Sequence, residues 1–89
     1  MSADNGIYIA KFPDGYRVCY AHAVDNVTYH REGTKARKKV LKAYFGKSKV
    51  FHTKANAVVH AHELEEEYLK GYGILEYGVS YIGEYESFE

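Results

Sequence analysis

A row of lysines in the segment Lys35–Phe45, KARKKVLKAYF, is the feature of the sequence that points most directly to a binding chemistry. At about 100° per residue, a helix over this segment places four ammonium groups on one side and apolar side chains on the other. An ammonium group pairs with phosphate or carboxylate as a point charge and does not read sequence. The candidate binding residues are these four lysines and two basic neighbours: Lys35, Lys38, Lys39, Lys42, Arg31 and Lys47.

The residue patterns that catalysis or metal binding would need are incomplete. Cys19 and His22 are the one local pairing of a nucleophile with a base, but residues three apart on a strand point to opposite faces. His60 shares a helix side with Glu63 and Glu67, whereas zinc takes three or four convergent ligands. We therefore predict no catalytic residues, no metal site, no cofactor and no enzymatic activity.

The formal net charge of zero conceals a segregation of charge along the chain. Nine of the 12 basic residues fall between Arg31 and Lys54, and eight of the 12 acidic residues fall between Glu63 and Glu89. One interpretation is a pair of solvated helix faces that keep a small protein soluble. The other is a dipolar protein made for recognition, in which each copy carries both sides of an ion-pair interface, so that a homodimer is permitted.

Length and composition limit the class of protein. A chain of 89 residues forms one domain, 1–89, with a modest core. Its single cysteine, Cys19, excludes an internal disulfide framework and suits a reducing compartment. The sequence has no apolar run long enough to span a membrane and no secretory leader at its start. We predict a cytoplasmic location and no membrane partner.

The spacing of apolar and turn-forming residues predicts six elements. Pro13-Asp14-Gly15 is a strong turn signal between two strand-like runs. Thr34 and Thr53 are suited to cap the two helices. In chain order the predicted elements are strands at 7–12 and 16–23, a helix over Lys35–Phe45, a strand at 49–52, a helix from Thr53 to about Leu69, and a strand at 74–82.

The order β-β-α-β-α-β predicts an α+β fold with one four-stranded sheet and both helices packed on one face. Residues 49–82 would form a β-α-β unit with a parallel crossover. The other face of the sheet would be open and rich in tyrosine, of which the chain has 10. Residues 83–89 would form an acidic tail that can be flexible.

Four short motifs occur together along the chain: DNGIYI at 4–9, AHAVDN at 21–26, YFGKSKVF at 44–51 and LEYGV at 75–79. In order and spacing they resemble a set of small, mostly uncharacterised proteins of tailed bacteriophages. The resemblance implies a protein made in the cytoplasm of an infected bacterial cell, and it brings no catalytic residues with it. The lysine row exceeds the pattern typical of such proteins, so its function can be particular to this chain.

These observations lead to two functional hypotheses. The first is a non-enzymatic accessory protein that binds a host protein and inhibits or modulates a host process such as defence. The alternative is a protein that binds nucleic acid or a phosphate ligand through the basic helix and the tyrosine-rich sheet face. Ammonium groups neutralise phosphates, and tyrosine rings stack on bases.

Overall fold

Two strands joined by a tight turn form the first part of the fold. In the computed structural model, which describes residues 5–21, 31–72, 75 and 77–88, these strands are β1 (Gly6–Phe12) and β2 (Gly15–Ala21). They pair antiparallel around Pro13-Asp14, with Phe12 opposite Gly15, as the turn signal predicts. Gly15 has a φ of 140°, and a Cβ there would lie 2.6 Å from the carbonyl oxygen of Phe51. The turn therefore requires glycine.

The two described helices begin where threonine side chains cap them. Helix α1 (Lys35–Phe45) has the predicted bounds, and Thr34 Oγ1 accepts a hydrogen bond from the Arg37 N–H at 3.2 Å. Helix α2 (Lys54–Tyr72) starts as predicted after Thr53, whose Oγ1 accepts from the Asn56 N–H at 3.2 Å. It ends at Tyr72 and therefore runs past Leu69, where the prediction ended it. One glycine costs a helix about 1 kcal/mol relative to alanine, so Gly71 does not by itself end the helix.

The last strand, β3 (Val79–Glu84), lies parallel to β1, so the order across the sheet is β2-β1-β3. The prediction placed this strand at 74–82, too early in the chain. Gly78 has a φ of 60°, a left-handed conformation that breaks an extended strand just before Val79. The N–H of Ile7 donates to the Gly78 carbonyl at 2.8 Å, and pairing with β1 begins there.

The prediction of a four-stranded sheet is wrong, because residues 49–52 do not form a strand. Only Phe51 pairs with β2, through two backbone hydrogen bonds with Tyr16 of 2.7 and 2.8 Å. Further along the edge, the Val18 N–H donates to the Ser48 hydroxyl at 3.0 Å. Helix α2 begins at Lys54, so too few residues follow Phe51 to form a second pair with β2. The parallel pair of the described sheet is consequently β1 with β3, and not a crossover within 49–82.

The prediction that both helices pack on one face is also wrong, since they lie on opposite faces of the sheet. On one face, Tyr8, Ala10 and Phe12 pack with Leu41 and Phe45 of α1. The other face packs on α2, and its buried side chains are Ile7, Ile9, Val18, Ala57 and Ala61. Strand β1 is apolar on both sides and is the middle strand, so each of its faces has to be covered.

The C-terminal segment, residues 85–88, packs against the α1 side of the sheet. Gly83 and Glu84 belong to β3, and the Tyr85 N–H donates to the Lys11 carbonyl at 2.8 Å. The Phe88 ring lies 5.3 Å from the ring of Phe12 and is almost fully buried. These aromatic contacts extend the core beyond the last strand.

Candidate binding surface

The solvent side of α1 carries the predicted lysine row. The helix buries Leu41 and Phe45 and half-buries Val40 and Tyr44, so its opposite side faces solvent. The four lysines there are exposed, and none of them forms a salt bridge within the described ranges. We call this surface the α1 lysine face: Lys35, Lys38, Lys39 and Lys42.

The two other predicted binding residues flank the same helix. Arg31 is exposed just before the cap, and its carbonyl accepts a hydrogen bond from the Thr34 hydroxyl at 2.7 Å. Lys47 is exposed in the turn that follows α1. The structure thus gathers all six predicted residues around one helix, with their side chains in solvent.

One acidic residue of the C-terminal segment is bound at the start of α1. Glu86 Oε1 lies 3.3 Å from Arg37 Nε, and Glu86 Oε2 accepts the Gly33 N–H at 2.8 Å. The Arg37 guanidinium also lies 5.0 Å from the centre of the Tyr85 ring. Glu86 therefore forms its salt bridge with the arginine of α1, and the described structure shows none between Glu86 and the lysines of that helix.

The pKa of Glu86 lies below its usual range although burial of the carboxyl raises it. Hydrogen bonds from the backbone N–H groups of Gly33 and of Glu86 itself lower the pKa, as do the positive charges of Arg37 and Lys38, and together they outweigh burial. Glu86 is therefore held as a carboxylate where the C-terminal segment meets α1.

A buried arginine from β2 lies at the other end of α1. Arg17 Nη1 donates to the Phe45 carbonyl at 3.2 Å, and Nη2 donates to Asp14 Oδ2 at 2.9 Å. Its guanidinium lies 4.8 Å from the centre of the Phe88 ring. A cation at the C-terminal end of a helix is favoured by the helix dipole. Sequence reasoning missed this role, although strand alternation placed Arg17 on the same side as the buried Cys19.

The predicted open, tyrosine-rich face is covered by α2, and the tyrosines have separate environments. Tyr8 is buried against the α1 side of the sheet. Tyr20 is 40% exposed, and its hydroxyl donates to the Tyr68 hydroxyl at 2.8 Å. Asn5 Nδ2 also donates to the Tyr68 hydroxyl at 2.8 Å. Tyr20 and Tyr68 thus join β2 to α2, and Tyr8 belongs to the core, so these three tyrosines do not form a stacking platform.

The acidic half of α2 lies across the sheet from the α1 lysine face. Glu63, Glu66 and Glu67 are exposed, and Glu66 makes a surface ion pair of 3.4 Å with Lys70. Because the two helices occupy opposite faces of the sheet, the charge segregation of the sequence becomes a separation in space. An acidic partner can therefore approach α1 without meeting the α2 glutamates.

Other kinds of site find little support in the described residues. Burial raises the pKa of the Cys19 thiol to about 12, against a lowering by a backbone hydrogen bond from Tyr8, so the thiolate is scarce at neutral pH. No three His, Cys, Asp or Glu side chains within the described ranges are placed to hold a metal. Neither α1 nor α2 is long and apolar enough to cross a membrane.

Three surface depressions have volumes of about 150, 210 and 200 Å³. Small-molecule sites are typically about 300–1,000 Å³. One depression is lined by Ile7, Tyr20 and Tyr68, with Leu64 and Glu67 of α2 beside them. Each of these three depressions is smaller than a typical small-molecule site.

Comparison with protein-family models, curated proteins and solved structures finds no match to this chain. The bacteriophage resemblance therefore stays a prediction, and the geometry of the surface carries the functional argument.

Proposed function

We propose that this is a non-enzymatic accessory protein that binds an acidic surface of a host protein through the α1 lysine face. In keeping with the resemblance, it would act in the cytoplasm of an infected bacterial cell and inhibit or modulate a host process such as defence. The observation that carries the proposal is the set of four exposed lysines on one helix without a salt bridge in the described chain.

The contrast within α1 supports an external partner for these lysines. Arg37 of the same helix is paired with Glu86 and packed against Tyr85. The remaining cations of α1 project away from the core, over a helix about 16 Å long. A cluster of charges of one sign attracts an oppositely charged partner and sets the orientation in which that partner docks.

The composition of this face favours a protein over a nucleic acid as its partner. Tyr44, the one tyrosine of α1, is half-buried against the core and does not lie among the lysines. Binding of single strands relies on rings that stack with bases, whereas ion pairs at a protein interface need only matched charge. The face therefore suits a carboxylate-rich protein surface.

The test compares the wild type with the variant Lys35→Gln/Lys38→Gln/Lys39→Gln/Lys42→Gln. Tagged copies of both are used to capture partners from bacterial lysate, and any protein retained by the wild type alone is identified, purified and titrated. We expect that partner to bind the variant at least about tenfold more weakly. Its affinity for the wild type should fall as salt is raised from about 50 to 200 mM.

The matched control is Lys11→Gln/Lys49→Gln/Lys54→Gln, which removes exposed lysines outside α1. It should retain the same partner with an affinity within about threefold of the wild type. A partner that binds the α1 variant as tightly as the wild type would show that the lysines are only a solvated face. Circular dichroism of each variant verifies that the fold is kept.

A further inference from the structure

A row of paired residues crosses the sheet at the end where β1 and β2 are joined. Phe51 pairs with Tyr16, Tyr16 with Lys11, and Lys11 with Glu84 of β3. Residues paired directly across neighbouring strands project to the same face of a sheet. Tyr16 and Phe51 pack against the core on the α2 side, so this row lies on the face opposite α1.

Each of three lysines at this end of the sheet lies over an aromatic ring. Lys11 Nζ is 5.9 Å from the centre of the Tyr16 ring, and Lys49 Nζ is 5.8 Å from that of Phe51. Lys54 Nζ is 4.1 Å from the centre of the Tyr81 ring. We call this surface the lysine–aromatic row: Lys11, Tyr16, Lys49, Phe51, Lys54 and Tyr81.

Helix α2 begins beside the row, and its His60 ring lies 5.0 Å from the ring of Phe51, so the accessible part of the row is its three exposed lysines and Tyr81. Lys54 is the first residue of α2, and the Tyr81 ring beneath it is 41% exposed. The glutamates of α2 begin at Glu63, about 13 Å further along the helix axis. One carboxylate adjoins the row: Glu84 Oε1 lies 3.5 Å from Lys11 Nζ. The surface therefore combines the exposed ring of Tyr81 and the half-buried rings of Tyr16 and Phe51 with an excess of positive charge.

We propose that the lysine–aromatic row binds single-stranded nucleic acid. Its three ammonium groups would contact successive phosphates, and bases would stack on the exposed ring of Tyr81 and on the accessible parts of Tyr16 and Phe51. Proteins that bind single strands without reading sequence combine these two elements, a basic track and aromatic rings. A duplex offers phosphates but keeps its bases stacked inside, so the rings specify a single strand.

This site is separate from the surface proposed for the host protein. The α1 lysine face lies on the other side of the sheet, and Lys47 and Lys49 lie in the connection that passes the edge of β2 between the two. Variants of either surface leave the other intact. Failure of one proposal therefore leaves the other standing.

The experiment measures fluorescence anisotropy of a labelled oligothymidine of about 15 nucleotides, with a duplex of equal length as comparison, at about 50 and 200 mM salt. We expect the wild type to bind the single strand more tightly than the duplex. Lys11→Gln/Lys49→Gln/Lys54→Gln should weaken binding at least about tenfold and reduce the slope of log K against log salt by about 2. The α1 quadruple variant should stay within about threefold of the wild type.

A second variant, Tyr81→Ser, tests stacking by an exposed ring whose loss does not open the core. It should weaken binding at least about fivefold and leave the salt slope unchanged. Tyr77→Ser, which removes another exposed tyrosine outside the row, is its matched control and should bind like the wild type.

Four results would overturn the proposal. They are no binding of the oligothymidine at the lower salt, equal or tighter binding of the duplex, greater loss in the α1 variant than in the row variant, and wild-type affinity in Tyr81→Ser. If all four comparisons give the expected result, the lysine–aromatic row is the binding site for single-stranded nucleic acid.

Discussion

Arg17 connects three parts of the chain through one buried guanidinium. It donates to the last carbonyl of α1 and to Asp14 in the turn, and it stacks on Phe88 of the C-terminal segment. Asp14 is more than half exposed, so the buried partners of the arginine are the carbonyl and the ring. A hydrogen bond to a charged group contributes about 1.5–3 kcal/mol to the free energy of unfolding. Leaving a buried polar group without its partner lowers that free energy by a similar amount.

We expect Arg17→Met to lower the free energy of unfolding by about 2–3 kcal/mol, because the volume is kept and the hydrogen bonds are lost. Urea unfolding measures the change. Arg31→Met, the same substitution at an exposed arginine, should change it by less than about 0.5 kcal/mol. Equal effects of the two substitutions would show that the buried contacts of Arg17 contribute nothing.

Glu86 makes the attachment of the C-terminal segment dependent on pH. Its pKa in the folded protein is lowered from the ordinary value, so its contribution to stability is present above that ordinary value and is lost as pH falls through the folded pKa. We expect the wild type to lose more stability between about pH 5 and pH 3 than Glu86→Gln does.

Chemical unfolding at both pH values measures this difference for Glu86. Glu66→Gln, which removes a carboxylate from an exposed pair on α2, controls for the loss of one charge. If Glu86→Gln loses stability on acidification as steeply as the wild type, the ion pair with Arg37 and the Gly33 hydrogen bond are not the source of the dependence.

At the scale of elements, α2 approaches the sheet closely because small residues form its contact. Ala57 and Ala61 are fully buried against Ile7, Ile9 and Val18. They lie one turn apart on the same side of the helix, where longer side chains would hold it away from the strands. The two alanines thus allow α2 to pack closely on this face of the sheet.

Ala61→Leu should lower the free energy of unfolding by about 1–3 kcal/mol, since the added methyl groups have no room between α2 and β1. Ala55→Leu, at an exposed position of the same helix, should be within about 0.5 kcal/mol of the wild type. Denaturant titration compares them. A neutral Ala61→Leu would mean that α2 does not lie against the sheet as described.

At the scale of the whole molecule, β1 is shared by two separate cores. Alternate residues of this one strand face α1 and α2, and strands pair with it on both sides. Opening of either helix exposes only one of its faces. The strand therefore belongs to the part of the molecule that opens last.

Hydrogen exchange tests this position of β1. We expect the amides of residues 7–11 to exchange most slowly among the described residues, with rates that follow global unfolding. The amides of β3, at an edge of the described sheet, should exchange faster. Exchange of β1 at the rate of β3 would contradict a shared central strand.

The opposite placement of the two charged helices also restricts self-association. Both copies of a two-fold dimer use the same surface, and each face of the sheet carries α1 or α2 but not both, so a two-fold interface on the α1 face would bring the two sets of α1 lysines together. Pairing of α1 with the glutamates of α2 requires a head-to-tail arrangement instead. Self-association through these charges stays a prediction. If it occurs by pairing of α1 with α2, we expect the copies to be arranged head to tail.

Several features were predictable from the sequence because short-range interactions determine them. The turn at Pro13-Asp14-Gly15 sets the pairing of β1 with β2, and it places Lys11 opposite Tyr16. Threonine caps and apolar periodicity gave the bounds of α1 and the start of α2. The same periodicity placed the lysines of α1 in solvent, where the structure has them.

The arrangement of these elements was decided only by tertiary structure. Periodicity shows that a strand is apolar on both sides, but it does not say which helix covers which side, and so the helices were placed on one face. Phe51 reaches β2 in a single pair because Ser48 and the start of α2 limit the connection. The pairing of β3 with β1 places Tyr81 beside Lys54, from a part of the chain 27 residues away. Contacts between residues far apart in the chain depend on how the whole chain packs, and local sequence carries little information about them.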